Sequence, residues 1–274
     1  KNTDVFILCI PTPINNNKKP DLFLLKKACQ LVSKYLEKGK LVIIESTVYP
    51  GCTEKILWNI LFNKKKEHFF LGISPERINP GDRKHTLNNI VKVVSGTDKY
   101  SLNLTQIFYK KIIKKKNIYT VSNIKIAEMA KLLENSQRDI NIAFMNEISQ
   151  ICNSLSVNFK EVLDAANTKW NFIKFTPGLV GGHCIGVDPY YLNYAAKLNK
   201  FKPNLVLSGR KINDEMYKFI KKVVIKKLKQ KIVNKKNYNI LICGASFKEN
   251  VSDIRNSQSV KLYKSFKKNK FKVD

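Results

Sequence analysis

Short apolar runs alternate with helix-like segments over residues 1–121, and this alternation is the feature that most limits the possible folds. The first run, Asp4–Ile10, predicts a strand buried on both faces, as in a parallel sheet covered by helices. Helical periodicity follows over Leu22–Glu37 and ends at Gly39, which suits a helix C-cap. Further strands are predicted over Leu41–Ile44, Phe69–Ile73, Ile90–Ser95 and Ile118–Val121, with a helix over Thr53–Phe62. The order predicts an α/β fold with a mostly parallel sheet.

Polar side chains follow the first three predicted strands. The segments are Pro11-Thr12-Pro13, Glu45-Ser46-Thr47 and Ser74-Pro75-Glu76-Arg77. Ligands of open parallel sheets bind beyond the carboxyl ends of the strands, so these segments favour a binding site at one rim. The alternative is that Ser, Thr and Pro only terminate the strands.

One long helix is predicted from Ser122 to about Ser156, with Ser122 or Asn123 as its N-cap. A helical wheel places four polar residues on one stripe, a pattern that most often marks a solvated face: Glu128, Lys131, Asn135 and Arg138. Glu147 falls among apolar residues, where a carboxylate needs a partner. We therefore expect Glu147 to be a structural, buried carboxylate.

A glycine-rich segment, residues 177–191, contains a single thiol, Cys184. Gly181 and Gly182 precede it and allow a tight bend in which a substrate can come close to the sulfur. Asp188 follows, and Pro189 suits the first turn of a helix. A cysteine just ahead of a helix N-terminus has its thiolate favoured. The pattern therefore indicates either a nucleophile or a small buried residue.

Beyond this bend the sequence changes from helices to a new α/β pattern. The predicted helices are Phe159–Ala166, Tyr190–Asn199 and Asn204 to about Lys231, followed by a strand over Tyr238–Cys243, a helix from Ser257 and a strand beginning near Phe271. We therefore predict three domains: the C-terminal part of a Rossmann-like domain over residues 1–121, a central all-helical domain over 122–233, and the beginning of a second Rossmann-like domain over 234–274.

Composition excludes several classes of protein. The formal charge is +29, but only five of the 50 basic residues are arginine and the lysines are scattered, which argues against a nucleic-acid-binding face. The six cysteines contain no CxxC pair and the three histidines are dispersed, so no metal site is expected. No apolar run approaches the ~20 residues of a membrane span, and the start is unlike a signal peptide. A reducing cytoplasm is the expected location.

Taken together, the motifs resemble the UDP-glucose/GDP-mannose dehydrogenase family of NAD-dependent, four-electron oxidoreductases, and the resemblance covers the whole chain. Seven motifs occur in the family's order: Pro11-Thr12-Pro13; Ser46-Thr47-Val48; Pro75-Glu76-Arg77; a helix with Lys131 and Asn135; Gly181-Gly182-His183-Cys184 with Asp188; Gly209-Arg210-Lys211-Ile212-Asn213-Asp214; and Phe247-Lys248-Glu249 with Asp253 and Arg255. Each motif alone is weak evidence, whereas the ordered set is specific.

The resemblance implies a role for each matching residue. Cys184 is the nucleophile; the other implied catalytic residues are Lys131, Asn135, Glu76, Thr47 and Asp188. Contacts to NAD are implied for Pro11, Thr12, Thr47 and Lys248. Contacts to a UDP-sugar are implied for Glu76, Lys131, Asn135, Gly181, Gly182, Arg210 and Arg255. A homodimer or higher oligomer through the long central helix is also expected.

The string Thr168–Phe172 and the bend around Cys184 are most similar to the branch that oxidises UDP-N-acetylhexosamines at C6, which includes enzymes of Vi-antigen and related surface-polysaccharide synthesis. UDP-glucose enzymes tend to carry a second acidic residue where this chain has Pro80. UDP-GlcNAc, UDP-GalNAc and UDP-ManNAc stay open, and the alternatives are UDP-glucose, GDP-mannose or a two-electron hydroxyacid reaction. Relatives seat the NAD pyrophosphate on a GxGxxG turn that is absent here, so we expect an excerpt of a longer protein that binds NAD poorly by itself.

Overall fold

The computed structural model describes residues 3–62, 68–79, 82, 84–231, 239–247, 249 and 251–274. The chain divides into two compact units. The first consists of Lys1–Glu134 and Tyr190–Lys202, and the second of Asn135–Pro189 and Pro203–Asp274. The three domain boundaries taken from the sequence stay a prediction.

A five-stranded sheet in the order β1-β2-β3-β4-β5 forms the first unit. Its strands are β1 (Val5–Leu8), β2 (Leu41–Ile44), β3 (Phe70–Ile73), β4 (Lys92–Gly96) and β5 (Ile118–Thr120). Its helices are α1 (Phe23–Ser33), α2 (Trp58–Leu61), which continues a π-helical turn over Thr53–Leu57, and α3 (Lys99–Ile112), which is followed by a 3-10 turn over Lys115–Asn117. The predicted α/β class is confirmed.

The direction of β4 departs from a simple parallel sheet. β1, β2 and β3 are parallel to one another. β4 runs antiparallel to β3, and β5 is parallel to β4. Ile73 is paired with Ser95. Continuing this register past the end of β3 brings Lys92, the first residue of β4, level with Glu76. The rim that collects the carboxyl ends of β1 to β3 therefore also receives the start of β4.

Burial across this sheet is uneven. Every residue of β2 and β4 is buried, and Leu41, Ile43 and Val94 form a core with Tyr109 of α3. The expectation that the first strand is buried on both faces is wrong, because Ile7 is 41% exposed. β1 is the end strand of the described sheet and pairs there with β2 alone, which leaves one side of it less covered.

The long helix α4 (Ile124–Ser154) confirms the predicted element, and Asn123 caps it by accepting a hydrogen bond from the Ile126 N–H at 3.0 Å. Its burial corrects the expectation for Glu147, which is exposed, while Glu128 is buried. The buried face of α4 contains polar as well as apolar side chains. Glu128 can be buried there because backbone N–H groups donate hydrogen bonds to its carboxylate. The side carrying Met129, Leu133 and Phe144 is exposed instead.

The second unit holds α5 (Phe159–Ala166), α7 (Asn204–Lys231), β6 (Asn239–Ile240), α8 (Gln258–Lys268) and β7 (Lys272–Val273), while α6 (Asp188–Leu198) begins in it. The bounds of α5 and α7 match the prediction, and Ser257 caps α8 as expected by accepting from the Val260 N–H at 3.3 Å. β6 and β7 are parallel, which confirms a second α/β pattern. The predicted strand start at Tyr238 lies outside the described residues.

Candidate functional site

Hydrogen bonds from hydroxyl groups connect the segments that follow β1 and β2. The Thr12 hydroxyl donates to the Thr47 carbonyl at 2.6 Å, and the Ser46 hydroxyl accepts from the Ile10 N–H at 2.8 Å. The buried Tyr191 of α6 donates its phenol to the Thr12 carbonyl at 2.7 Å. Pro11, Thr12 and Thr47 therefore lie at the carboxyl edge of the parallel strands, which we call the rim, and the hydrogen bonds above hold them there. Nucleotides bind at this edge in such sheets. The arrangement fits a dinucleotide cofactor.

Glu76 follows β3 and lies on the same rim, where both of its carboxylate oxygens have a partner. Its Oε1 accepts a hydrogen bond from the Ile78 N–H, and its Oε2 lies 3.1 Å from the Lys92 Nζ. The Lys92 Nζ also lies 2.7 Å from Glu45, the residue that follows β2. Because Lys92 is buried, its ammonium requires these two carboxylates.

Glu45 is the centre of a polar cluster formed by Cys9, Glu45, Glu76, Lys92 and Tyr109, which we call the rim cluster. The Tyr109 phenol and the Cys9 thiol, the latter at 3.3 Å, both donate to Glu45. Burial alone would raise the pKa of Glu45, but hydrogen bonds from Lys92 and Tyr109 outweigh it and lower that pKa. Burial and the bond to Glu45 raise the pKa of Cys9 to about 11, so this thiol stays protonated.

Arg77 connects the segment after β3 to α4. Its guanidinium pairs with Glu134 at 2.8 Å and donates to the Val91 carbonyl at 2.7 Å. Val91 directly precedes Lys92. The neighbouring residues Glu76 and Arg77 thus both bind the segment that enters β4.

Glu128, one helical turn before Lys131 on α4, binds the chain just after the Thr47 segment. Its two carboxylate oxygens accept from the backbone N–H groups of Gly51 and Thr53, the latter at 3.0 Å. Burial raises the pKa of Glu128 to about 7, although these two hydrogen bonds oppose the shift. Glu128 therefore sets the distance between the Thr47 segment and the helix that carries Lys131.

We expect Glu128 to make stability depend on pH. A carboxyl group whose pKa is raised on folding stabilises the fold below its unfolded pKa, and this stabilisation is lost as the pH rises through the folded value. With a folded pKa of about 7, the loss falls between roughly pH 4.5 and 7 and amounts to at most about 3 kcal/mol. Urea unfolding at pH 5 and pH 8 should show this decline in the wild type and a smaller one in Glu128→Gln. Glu147→Gln, an exposed site on α4, is the control, and equal declines in all three proteins would contradict the assignment.

In the second unit, the bend around Cys184 is closed by its own backbone. The Cys184 carbonyl accepts from the N–H groups of Val187 at 3.0 Å and Asp188 at 2.9 Å. Cys184 is half-buried and stands four residues before the first residue of α6. The sequence therefore placed the thiol correctly ahead of a helix N-terminus. Its thiolate character stays a prediction.

Gly182 needs to be glycine for two reasons. Its φ is +84°, and a Cβ there would lie 2.7 to 3.0 Å from ring atoms of Phe247. A Cβ on Gly181 would lie 2.9 Å from the Asn256 carbonyl oxygen. The Asn256 amide in turn donates to the Gly182 carbonyl at 3.3 Å. The bend is therefore packed tightly against the segment between β6 and α8.

His183 and Asp253 form a second contact between the same two segments. The His183 Nδ1 lies 3.4 Å from the Asp253 Oδ2, and the ring meets Phe247 edge-on. Arg255 donates to both oxygens of Asp253, and these bonds lower the pKa of Asp253 to about 2. The Arg255 side chain is largely exposed, whereas the predicted cofactor contact Lys248 lies outside the described residues.

Asp188 and Asn135 are brought together, because the Asn135 amide donates to the Asp188 carboxylate. Lys131 lies on α4 one turn before Asn135 and is half-buried. Arg210 of α7 is buried, and its guanidinium pairs with Asp139 and, at 2.7 Å, with Asp214. The role of Arg210 in substrate binding stays a prediction.

Two profiles of one protein family match most of this chain. The NAD-binding domain profile of the UDP-glucose/GDP-mannose dehydrogenase family matches residues 1–113, and the profile of the family's central domain matches residues 125–215. The chain belongs to this family.

Relatives cover the whole chain. It is 45% identical over 278 residues to the UDP-N-acetyl-D-glucosamine 6-dehydrogenase of Salmonella typhi and 43% identical over 275 residues to that of Pseudomonas aeruginosa. These alignments cover 100% and 99% of this chain and 65% of each relative. The solved UDP-D-ManNAc dehydrogenase of Pyrococcus horikoshii has a TM-score of 0.87 at 33% identity and covers 100% of this chain and 65% of that one.

Sequence reasoning missed the participation of Lys92, Tyr109 and Asp139. A lysine inside the apolar run Ile90–Ser95 was a usable signal, because a buried ammonium needs a carboxylate. Among the described residues no helix is long and apolar enough to cross a membrane, and no group of three or more His, Cys, Asp or Glu side chains could hold a metal ion.

Proposed function

We propose that the complete protein oxidises the C6 hydroxyl of a UDP-N-acetylhexosamine to the carboxylic acid and uses NAD as the acceptor. The observation that carries the proposal is the bend that presents Cys184, which occurs in a chain 45% identical to a UDP-N-acetyl-D-glucosamine 6-dehydrogenase. Two molecules of NAD, bound one after the other, would each accept one hydride. Pro11, Thr12 and Thr47 on the rim, together with Lys248, are the residues we assign to holding NAD.

Oxidation of a primary alcohol to an acid requires an aldehyde to be retained between two steps. Loss of the first hydride and a proton gives the aldehyde, to which the Cys184 thiolate adds to form a thiohemiacetal. Loss of the second hydride gives a thioester. Water then attacks its carbonyl, the carbon–sulfur bond breaks, and the acid and the thiolate are released.

The other residues have distinct tasks in this scheme. Lys131 and Asn135 donate hydrogen bonds to negative charge that develops on the sugar oxygen. Glu76 takes the proton of the attacking water, with Thr47 positioning that water. Asp188 orients Asn135, and this role is supported by the hydrogen bond between them. Arg210, Arg255, Gly181 and Gly182 are assigned to substrate binding.

The stoichiometry of NADH tests the proposed function. We expect the complete protein to release two NADH for each sugar nucleotide consumed, because one oxygen-bearing carbon is oxidised twice. Absorbance of NADH against limiting UDP-GlcNAc, UDP-GalNAc or UDP-ManNAc measures the ratio and selects the epimer. UDP-glucose and GDP-mannose are the comparison substrates, and a ratio of one would favour a two-electron hydroxyacid dehydrogenase.

We further propose that the protein acts in the cytoplasm, in surface-polysaccharide synthesis, as a homodimer or higher oligomer. Met129, Leu133 and Phe144 form an exposed apolar side of α4, and a second copy of the chain is the partner that we propose for it. Light scattering that gave a monomer would contradict the oligomer.

A further inference from the structure

We propose that Lys92 is a positioning residue, which holds Glu76 in place to activate water in the hydrolysis of the thioester. This inference rests on the proposed function, and it adds a residue that belongs to none of the motifs around Glu76 or Cys184. Its basis is the geometry of the rim cluster.

Lys92 is 1% exposed, and its Nζ lies between two carboxylates. The distance to Glu45 is 2.7 Å and the distance to Glu76 is 3.1 Å. The Glu76 side chain is 40% exposed, whereas that of Glu45 is 14% exposed. Lys92 therefore bridges Glu45, which is mostly buried, and Glu76, which water can reach.

Glu45 is fixed because it has further partners on separate elements. The Tyr109 phenol reaches it from α3, and the Cys9 thiol reaches it from the end of β1. The Lys92 ammonium also lies 5.0 Å from the centre of the Tyr109 ring. Outside the rim cluster, Arg77 pairs with Glu134 and donates to the carbonyl of Val91, the residue before Lys92. These contacts keep the Lys92 ammonium in one position.

Glu76 keeps acceptor capacity for a water proton. A carboxylate offers about four lone-pair positions, of which the Ile78 N–H and the Lys92 ammonium use one each. Without Lys92, Glu76 would keep the Ile78 N–H at one oxygen but lose the cation at the other, and would face Glu45 with no ammonium between the two carboxylates. Like charges so placed repel each other, and Glu76 would turn outward into solvent.

The step that depends on this position is water attack on the Cys184 thioester. An oxygen–carbon bond forms as a water proton passes to Glu76, and the carbon–sulfur bond breaks with the electron pair leaving on sulfur. The two earlier hydride losses do not require Glu76 as a base. Loss of Lys92 should therefore slow hydrolysis and spare the steps before it.

The test uses the complete protein with NAD and the preferred UDP-sugar. In Lys92→Met we expect a rapid burst of two NADH per active site, followed by turnover about 10- to 100-fold slower than in the wild type. Intact-protein mass spectrometry should find the uronyl adduct on Cys184 during this slow phase. Lys92→Arg should restore part of the turnover, because it keeps the cation.

Lys40→Met is the matched control, since it removes another buried lysine that pairs with a carboxylate, Glu37 at 3.0 Å, and lies outside the rim cluster. It should show no adduct. Where Lys92→Met alone fails to fold, the double variant with Glu45→Gln removes the mostly buried carboxylate that has lost its cation. It should still show the burst, because Glu76 lacks the ammonium contact that holds its Oε2. Normal steady turnover without adduct in Lys92→Met or in the double variant, or equal adduct in Lys40→Met, would overturn the positioning role. A wild type that releases one NADH per sugar would instead overturn the proposed function.

Discussion

Replacement of Cys184 with serine is expected to lower the formation of the sugar acid by about 10³-fold or more, because the variant has no thiol to form the thioester. Acid production and NADH release by the complete protein measure the loss. Incubation with NAD and substrate should also leave the variant without a covalent adduct in its mass spectrum.

The chain offers a good control for this variant. Cys243 is an exposed cysteine in the same unit, outside the bend, and Cys243→Ser should keep wild-type turnover. Wild-type acid formation by Cys184→Ser would remove this thiol from the mechanism. Equal losses in both variants would point to a general sensitivity of the unit to cysteine replacement.

Gly182→Ala is expected to have the second large effect, because it disturbs both the backbone and the packing of the bend. An alanine at φ +84° is strained, and its Cβ would overlap the Phe247 ring. We expect a loss of about 3 kcal/mol in unfolding free energy and a fall in kcat, since the Cys184 backbone must shift. Urea unfolding and steady-state kinetics measure the two effects.

Three further variants separate the causes. Gly178→Ala should be tolerated, because a Cβ there meets nothing within 4 Å. Gly244→Ala measures backbone strain alone, since its φ is +96° and its Cβ would also be unobstructed. Adding Phe247→Ala to Gly182→Ala should recover the part of the loss that comes from the clash. Equal stability of Gly178→Ala and Gly182→Ala would contradict the packing argument.

Much of the fold followed from the period of the apolar residues. Strands such as β2, with bounds that match the prediction, are short apolar runs that end in polar residues, and the bounds of α5 and α7 also match the prediction. The direction of β4 did not follow, because a buried strand has the same apolar pattern whether it runs parallel or antiparallel.

Motifs that carry chemistry, as at Glu76 and Cys184, allowed site residues to be proposed from the sequence, and their roles stay predictions. The partners of those residues were harder to predict, because Lys92 and Tyr109 come from distant positions and read locally as parts of a strand and a helix. The burial of α4 was misread for a related reason. A wheel ranks side chains by polarity, whereas Glu128 is buried because backbone N–H groups satisfy it.

Because β4 runs antiparallel to β3, the rim cluster depends on the register of this strand pair and is sensitive to insertions within β4. Side chains alternate between the two faces of a strand, so a single-residue insertion between Lys92 and Ser95 would turn the lysine away from Glu45 and Glu76. Length changes between Ile78 and Val91 leave both the pairing of β3 with β4 and the Glu76 segment untouched. The cluster is thus tied to strand register and to the residues just after β3, and the later part of the connection can change in length as the sequence diverges.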